Sequence, residues 1–220
     1  MLVKHRMTAQ PHTIPPEMPV AEALSYMRQN RIRRLPIVDK KGKLVGIVSE
    51  KDLLYASPSP ATSLSVYEVG YLLAKLKVED VMAKKVMTVE ADAPLEEAAR
   101  IMADNKIGGL PVMTKGEMVG IITETDIFKT FLEMMGGREA GLRVTLEVQD
   151  KPGTLSRITG EIASCGGDIV TLGTFYGDDK SCNAAMITLK VRGIEKAVLV
   201  EALEKLDARV TDIRESASTA

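Results

Sequence analysis

The sequence predicts a mixed α/β (α+β) protein: two tandem β-α-β-β-α units packed as a pair, then a smaller C-terminal β-α-β-β-α-β domain. Three observations carry that expectation. Residues 3–40 align with 78–115 at one constant offset, and 42–55 align with 116–129 one residue closer, because Lys41 is an extra turn residue. The composition is that of a globular chain, 45% apolar and 27% charged over 220 residues. After Gly136-Gly137 the repeat stops, and apolar alternation begins at Leu142, Val144, Leu146 and Val148. Two copies are too few for a solenoid, which needs about three repeats. Each copy is therefore expected to bury its apolar face against its twin.

Each copy opens with a short extended piece ending at Thr13-Ile14 or Thr88-Val89. A helix follows, with Val20, Ala23, Leu24 and Met27 at i, i+3, i+4, i+7, and Leu95, Ala98, Ala99 and Met102 likewise. Apolar runs at 35–38 and 44–48 then flank Asp39-Lys40-Lys41-Gly42-Lys43, a hairpin signal with glycine in the turn. The second copy repeats it around Lys115-Gly116-Glu117, and a second helix starts near Ser49 or Thr123. These boundaries set a first module at 1–58, a connector at 59–77 and a second module at 78–135. The connector begins as a loop, Ser57-Pro58-Ser59-Pro60, and becomes helical from Leu64 to Lys77 with two apolar faces. Either this chain or a partner subunit covers the second face.

The C-terminal domain spans 141–216. Its first strand leads through Asp150-Lys151-Pro152-Gly153 into a helix carrying Leu155, Ile158 and Ile162. Strands at 169–176 and 184–191 flank a turn at Gly177-Asp178-Asp179-Lys180, and a helix at 195–206 and a strand at 210–213 complete a ferredoxin-like order.

Several functions are excluded by what the chain lacks. A net charge of −1 opposes nucleic-acid binding, which draws on a basic surface. No apolar run approaches the ~18 residues of a membrane span and no signal-peptide core is present, so a cytoplasmic protein away from membranes is expected. Cys165 and Cys182 form no CxxC pair and read as free thiols. His5 and His12 lack metal-ligand spacing. There is no Ser-His-Asp or Cys-His set, no P-loop and no GxGxxG, so no catalytic residue, metal or prosthetic group is expected.

The repeated signature Gly46-Ile47-Val48-Ser49-Glu50-Lys51-Asp52 and Gly120-Ile121-Ile122-Thr123-Glu124-Thr125-Asp126, with Arg34-Leu35-Pro36-Ile37-Val38 and Gly109-Leu110-Pro111-Val112-Met113 upstream, resembles the tandem CBS module. That resemblance implies an adenine nucleotide, AMP, ATP or a related adenosine compound, in clefts between the twin modules. It gives Asp52 and Asp126 to the ribose, where a carboxylate accepts from both hydroxyls, and Ser49 and Thr123 to a ribose or phosphate oxygen. Adenine contacts fall to Thr13, Ile14, Thr88 and Val89, so that Asp52 works with Thr88 and Asp126 with Thr13. Pro36 and Pro111 complete the implied set. Ser49-x-x-Asp52 and Thr123-x-x-Asp126 also read as capping boxes that need no ligand. The copies diverge at Arg33-Arg34 against Gly108-Gly109. Arginines clamp phosphate bidentately, whereas glycines offer backbone N–H groups and room. Inequivalent clefts follow, the arginine-lined one preferring a phosphorylated ligand.

Asp150-Lys151-Pro152-Gly153-Thr154-Leu155 and Gly166-Gly167-Asp168-Ile169 resemble the ACT domain, commonly an amino-acid sensor. The resemblance implies a ligand carboxylate on the free N–H groups of the loop formed by Asp150, Pro152, Gly153, Thr154 and Leu155, with Asp168 and Ile169 near its ammonium. The family often has asparagine where Asp168 stands. The other reading is a domain that only dimerises. The domain order, the Ala56-Ser57-Pro58-Ser59-Pro60 connector and Asp126-Ile127-Phe128-Lys129-Thr130-Phe131 resemble bacterial acetoin-utilisation proteins. A homodimeric, non-catalytic regulator of a partner enzyme is the expectation, linked to acetoin catabolism. A ligand-free oligomerisation adaptor is its alternative.

Overall fold

The computed structural model describes residues 1–56, 75–176 and 184–217. The connector loop and most of the expected connector helix lie outside the described residues, as do the Gly177–Lys180 turn and Cys182. The chain divides into two compact units, Met1–Ile127 and Phe128–Ala220.

In the first unit, strands β1 (Thr8–Ala9), β2 (Arg34–Val38), β3 (Leu44–Ser49), β4 (Val89–Glu90), β5 (Gly109–Thr114) and β6 (Glu117–Thr123) alternate with helices. These are α1 (Val20–Gln29), α2 (Glu50–Ala56), a single turn α3 (Val78–Val81), α4 (Leu95–Asn105) and α5 (Glu124–Met134), the last running on into the second unit. The second repeat forms a sheet of order β1-β6-β5-β4. The first forms the antiparallel pair β2-β3, extended by bridges from Ile14 to Ile37 and from Ile47 to Ala83.

The opening segments change places. β1 belongs to the first repeat yet pairs with β6 of the second, and Ala83 of the second pairs with β3 of the first. Val3 is fully buried in the core of Leu95, Ala98, Met102, Leu110 and Ile122, while Val78 is fully buried with Val20, Met27, Leu35 and Leu53. The exchange also supplies helix caps. Pro19 and Pro94 stand at the N-caps of α1 and α4 without a side chain to offer. The Val20 N–H therefore donates to Leu76 O at 2.9 Å, and the Leu95 N–H to Met1 O at 2.9 Å, satisfying amides that an uncapped helix leaves orphaned. The twins thus bury their apolar faces in two separate cores, each completed by a segment of the other copy.

The second unit holds β7 (Gly141–Gln149), α6 (Thr154–Ser164), β8 (Asp168–Tyr176), β9 (Ala184–Arg192), α7 (Lys196–Glu204) and β10 (Arg209–Ser216). Its antiparallel sheet has order β10-β7-β9-β8. Val144, Leu146, Ile187, Leu189 and Val191 bury one face together with Ile158 and Ile162 of α6 and Leu199 and Leu203 of α7. On the other face Lys190 is only 4% exposed. Its Nζ donates to Gly136 O at 2.6 Å and Glu139 O at 2.7 Å, just past the end of α5. A cation there meets the negative end of the helix dipole. Among the described residues, no helix is long and apolar enough to cross a membrane.

Candidate functional site

Two cavities open in the first unit, and they are related by the repeat. One, of about 290 Å³, is lined by Thr8, His12, Arg31, Arg33, Arg34, Ile121, Thr123, Thr125 and Asp126. The other, of about 550 Å³, is lined by Ala83, Lys85, Met87, Lys106, Gly108, Gly109, Ile47, Ser49, Lys51 and Asp52, with Arg33 and Arg34 again at its border. Apart from Pro11, every residue lining the Asp126 cleft has its repeat counterpart lining the Asp52 cleft. Each cleft draws on both copies because the exchanged segment runs beside the signature turn of its neighbour.

Both signature pairs close on themselves. The Ser49 N–H and O–H donate to Asp52 Oδ2 at 2.8 and 2.7 Å, and the Asp52 N–H donates back to Ser49 Oγ at 3.3 Å. The Thr123 N–H and O–H donate to Asp126 Oδ2 at 2.9 and 2.7 Å. The first has the reciprocal geometry of a capping box, and the second shares its Asp-to-N-cap half. In both, the cap occupies Oδ2 and fixes the carboxylate at the cavity wall.

The arginines depart from expectation. Rather than lining one cleft and leaving the other to glycine, Arg33 and Arg34 border both. Gly108 and Gly109 are the reason: a Cβ on Gly108 would collide with the Arg34 guanidinium, and one on Gly109 would sit 3.1 Å from Arg34 Cδ. The second copy is small where the first is large, so one arginine fills the seam. Arg34 Nη2 lies 3.6 Å from Glu124 Oε2, and Arg33 Nη2 donates to Thr125 Oγ1 at 3.3 Å. Burial lowers the Arg34 pKa from its usual value, and the carboxylate of Glu124 partly offsets this.

Other expected contacts sit elsewhere. Ile14 and Val89 are 2% and 5% exposed and belong to the two cores, and Pro36 and Pro111 are buried in β2 and β5. None of the four lines a cleft, nor do Thr13 and Thr88, although their neighbours His12 and Met87 do. Sequence reasoning passed over Arg31, Lys106, Lys85 and His12. Arg31 and Lys106 are counterparts that both adopt φ 54° at a helix end, a conformation glycine takes without strain. A basic side chain at both positions was the signal. His12 Nδ1 lies 2.7 Å from the Tyr26 hydroxyl. Among the described residues no three His, Cys, Asp or Glu side chains gather as a metal site.

In the second unit a cavity of about 450 Å³ is lined by Asp150, Lys151, Pro152, Gly153, Thr154 and Leu155 with Thr174, Tyr176 and Ile187. Gly153 has φ 89°, and the Thr154 hydroxyl donates to Gln149 O at 3.1 Å. Asp168 begins β8 at the end opposite Tyr176 and accepts from Arg192 Nε at 2.8 Å, while Ile169 packs on the core. One chain therefore does not bring Asp168 to the Asp150–Leu155 loop.

Comparison with known proteins matches this architecture. The CBS domain family matches residues 3–59 and 78–133, and the TTHA0829-like ACT domain matches 140–214. A CBS domain-containing protein of Dictyostelium discoideum is 33% identical over 136 residues, spanning 61% of this chain and 94% of that protein. A CBS pair crystallised with 5′-methylthioadenosine and S-adenosyl-L-methionine is 31% identical with a TM-score of 0.51, over 63% of this chain and 98% of its own. A Vibrio cholerae protein assigned to acetoin utilization (AcuB) is 35% identical with a TM-score of 0.52, over 63% of this chain and 96% of its own. Twin units, exchanged openings and matched residues together place the chain in the CBS domain family, as a tandem CBS pair followed by an ACT-like domain.

Proposed function

We propose that the chain is a non-catalytic regulatory sensor that binds adenosine compounds in its two clefts and passes occupancy to a partner enzyme. The observation that carries this reading is the repetition of a whole cavity. A cap alone needs a hydroxyl and a carboxylate, yet both copies also place a basic residue, Arg31 or Lys106, at a left-handed helix end facing the space. Local strain of that kind costs on the order of 1–3 kcal/mol and persists where the surroundings make use of it. In this reading Asp52 and Asp126 accept the ribose hydroxyls. Ser49 and Thr123 hold those carboxylates, and the basic border receives phosphate. A structurally similar CBS pair holds 5′-methylthioadenosine and S-adenosyl-L-methionine, which supports the ligand class. The Asp150–Leu155 loop would take an amino-acid carboxylate, homodimerisation would complete that site, and the link to acetoin utilisation rests on the Vibrio cholerae relative.

Calorimetry with AMP, ATP, S-adenosylmethionine and 5′-methylthioadenosine tests this. Two molecules bound per chain are expected, and Asp52→Asn or Asp126→Asn should each lose one. A ligand at about 100 times its Kd should stabilise the fold by about 2.7 kcal/mol. The Ser49–Asp52 and Thr123–Asp126 bonds have the geometry of helix caps, a structural role that the adaptor, the second reading, also requires. Silence from every adenosine compound would leave the adaptor standing.

A further inference from the structure

The two clefts are built largely from counterpart positions, and the difference at Arg33-Arg34 against Gly108-Gly109 changes how they share charge. A symmetric protein would give each cleft its own arginine pair. Here the second copy carries Gly108-Gly109, and Arg33 and Arg34 of the first copy border both spaces. We infer that these two arginines form one anion-binding element serving two sites, so that a phosphate-bearing ligand in one cleft weakens the binding of a second in the other. Uncharged ligands fill both clefts independently. This rests on the adenosine reading above and adds a rule for how the two sites communicate.

The physical basis is electrostatic competition of two anions for one pair of cations. The pair carries two positive charges for two clefts, so a phosphate drawn to it from one side leaves a second phosphate facing a partly neutralised pair and a like charge. Arg34 is held at the seam, with its side chain 22% exposed, Nη2 3.6 Å from Glu124 Oε2 and the guanidinium over Gly108. Solvent screens such a partly buried group less than a surface one. The clefts also differ in what else they own. The Asp52 cleft adds Lys51, Lys85 and Lys106 against one further acid, Glu50, whereas the Asp126 cleft adds Arg31. The Asp52 cleft therefore fills first with an anion, and the Asp126 cleft bears the loss.

Two-site calorimetry on the full chain tests this with AMP and with 5′-methylthioadenosine, which has no phosphate. Met87→Trp fills the Asp52 cleft and isolates the other. The Asp126 cleft should then bind AMP about 5-fold tighter or more than the weaker event of the unmodified chain, the size of an ordinary coupling. Its affinity for 5′-methylthioadenosine should not change. Independently of that variant, Arg33→Gln/Arg34→Gln should narrow the ratio of the two AMP constants toward that for 5′-methylthioadenosine, the remaining difference being set by Lys51, Lys85 and Lys106 against Arg31. An AMP constant at the Asp126 cleft that ignores the state of its neighbour, or a ratio unmoved by the double substitution, overturns the inference and leaves the sensor reading intact. If no adenosine compound binds, both fail together.

Discussion

The two halves of the first unit differ less in their cores than in what faces the seam. Leu35 and Leu110, Ile37 and Val112, and Met27 and Met102 are counterparts, all at most 3% exposed. In both signature turns the N-cap N–H and hydroxyl donate to the aspartate three residues on. The difference falls at Arg33-Arg34 against Gly108-Gly109, where the copies cannot both be large because they meet. Duplication therefore preserved what each half needs alone and diverged where one half must yield space to the other.

The comparison breaks most readily in the cores. Leu35→Ala and Leu110→Ala should each cost about 2–5 kcal/mol, and by similar amounts, since both side chains are fully buried. Denaturant melts giving values several kcal/mol apart would show that the halves are not energetic equals. Next come the glycines against which the exchanged segments rest. A Cβ on Gly46 would meet Met82 Sδ, and one on Gly120 would meet Met7 Sδ and, at 3.0 Å, Thr8 O. Both alanine variants should cost about 1–3 kcal/mol, with Gly120→Ala the worse because backbone yields less than a methionine. Equal melting points for the two would argue against that ranking.

The caps are expected to matter less. Ser49→Ala and Thr123→Ala should lose about 0.5–2 kcal/mol each by thermal or denaturant melting. A null result at one position alone would mean that the pseudo-symmetry does not reach the turn. The smallest effect separates the hairpins. Asp39, in the turn that carries the extra Lys41, accepts the N–H groups of Lys41 and Lys43 at 2.8 and 2.9 Å. These bonds, led by that from Lys43, lower its pKa, so the turn gains stability above the ordinary aspartate range and loses it as pH falls through the depressed value. The Lys41 and Lys43 amide resonances should shift together at that lower pH, while those around Gly116 should stay still.

Much of this protein is legible in one dimension. The helix faces Val20-Ala23-Met27 and Leu95-Ala98-Met102, the glycine turns, the capping boxes and the alternation of β7 follow from periodicity and turn chemistry, which act over a few residues. The cavity walls were half legible: Asp52 and Asp126 stood out by their signature, whereas Arg31, Lys106 and His12 show their place only through the repeat offset. Ile14 and Val89 look the same in sequence whether they face a cleft or a core, because an apolar residue at a strand end suits both.

What only the tertiary structure decided is everything that depends on a neighbour far along the chain. The exchange of Val3 and Val78 between cores, the capping of Leu95 by Met1 O and of Val20 by Leu76 O, and the fitting of Arg34 over Gly108 join residues about one repeat apart. Sequence patterns record which side chains are apolar, charged or absent. Close packing decides which of them must share the same space, and that turned a pair of arginines in one copy into the border of two cavities.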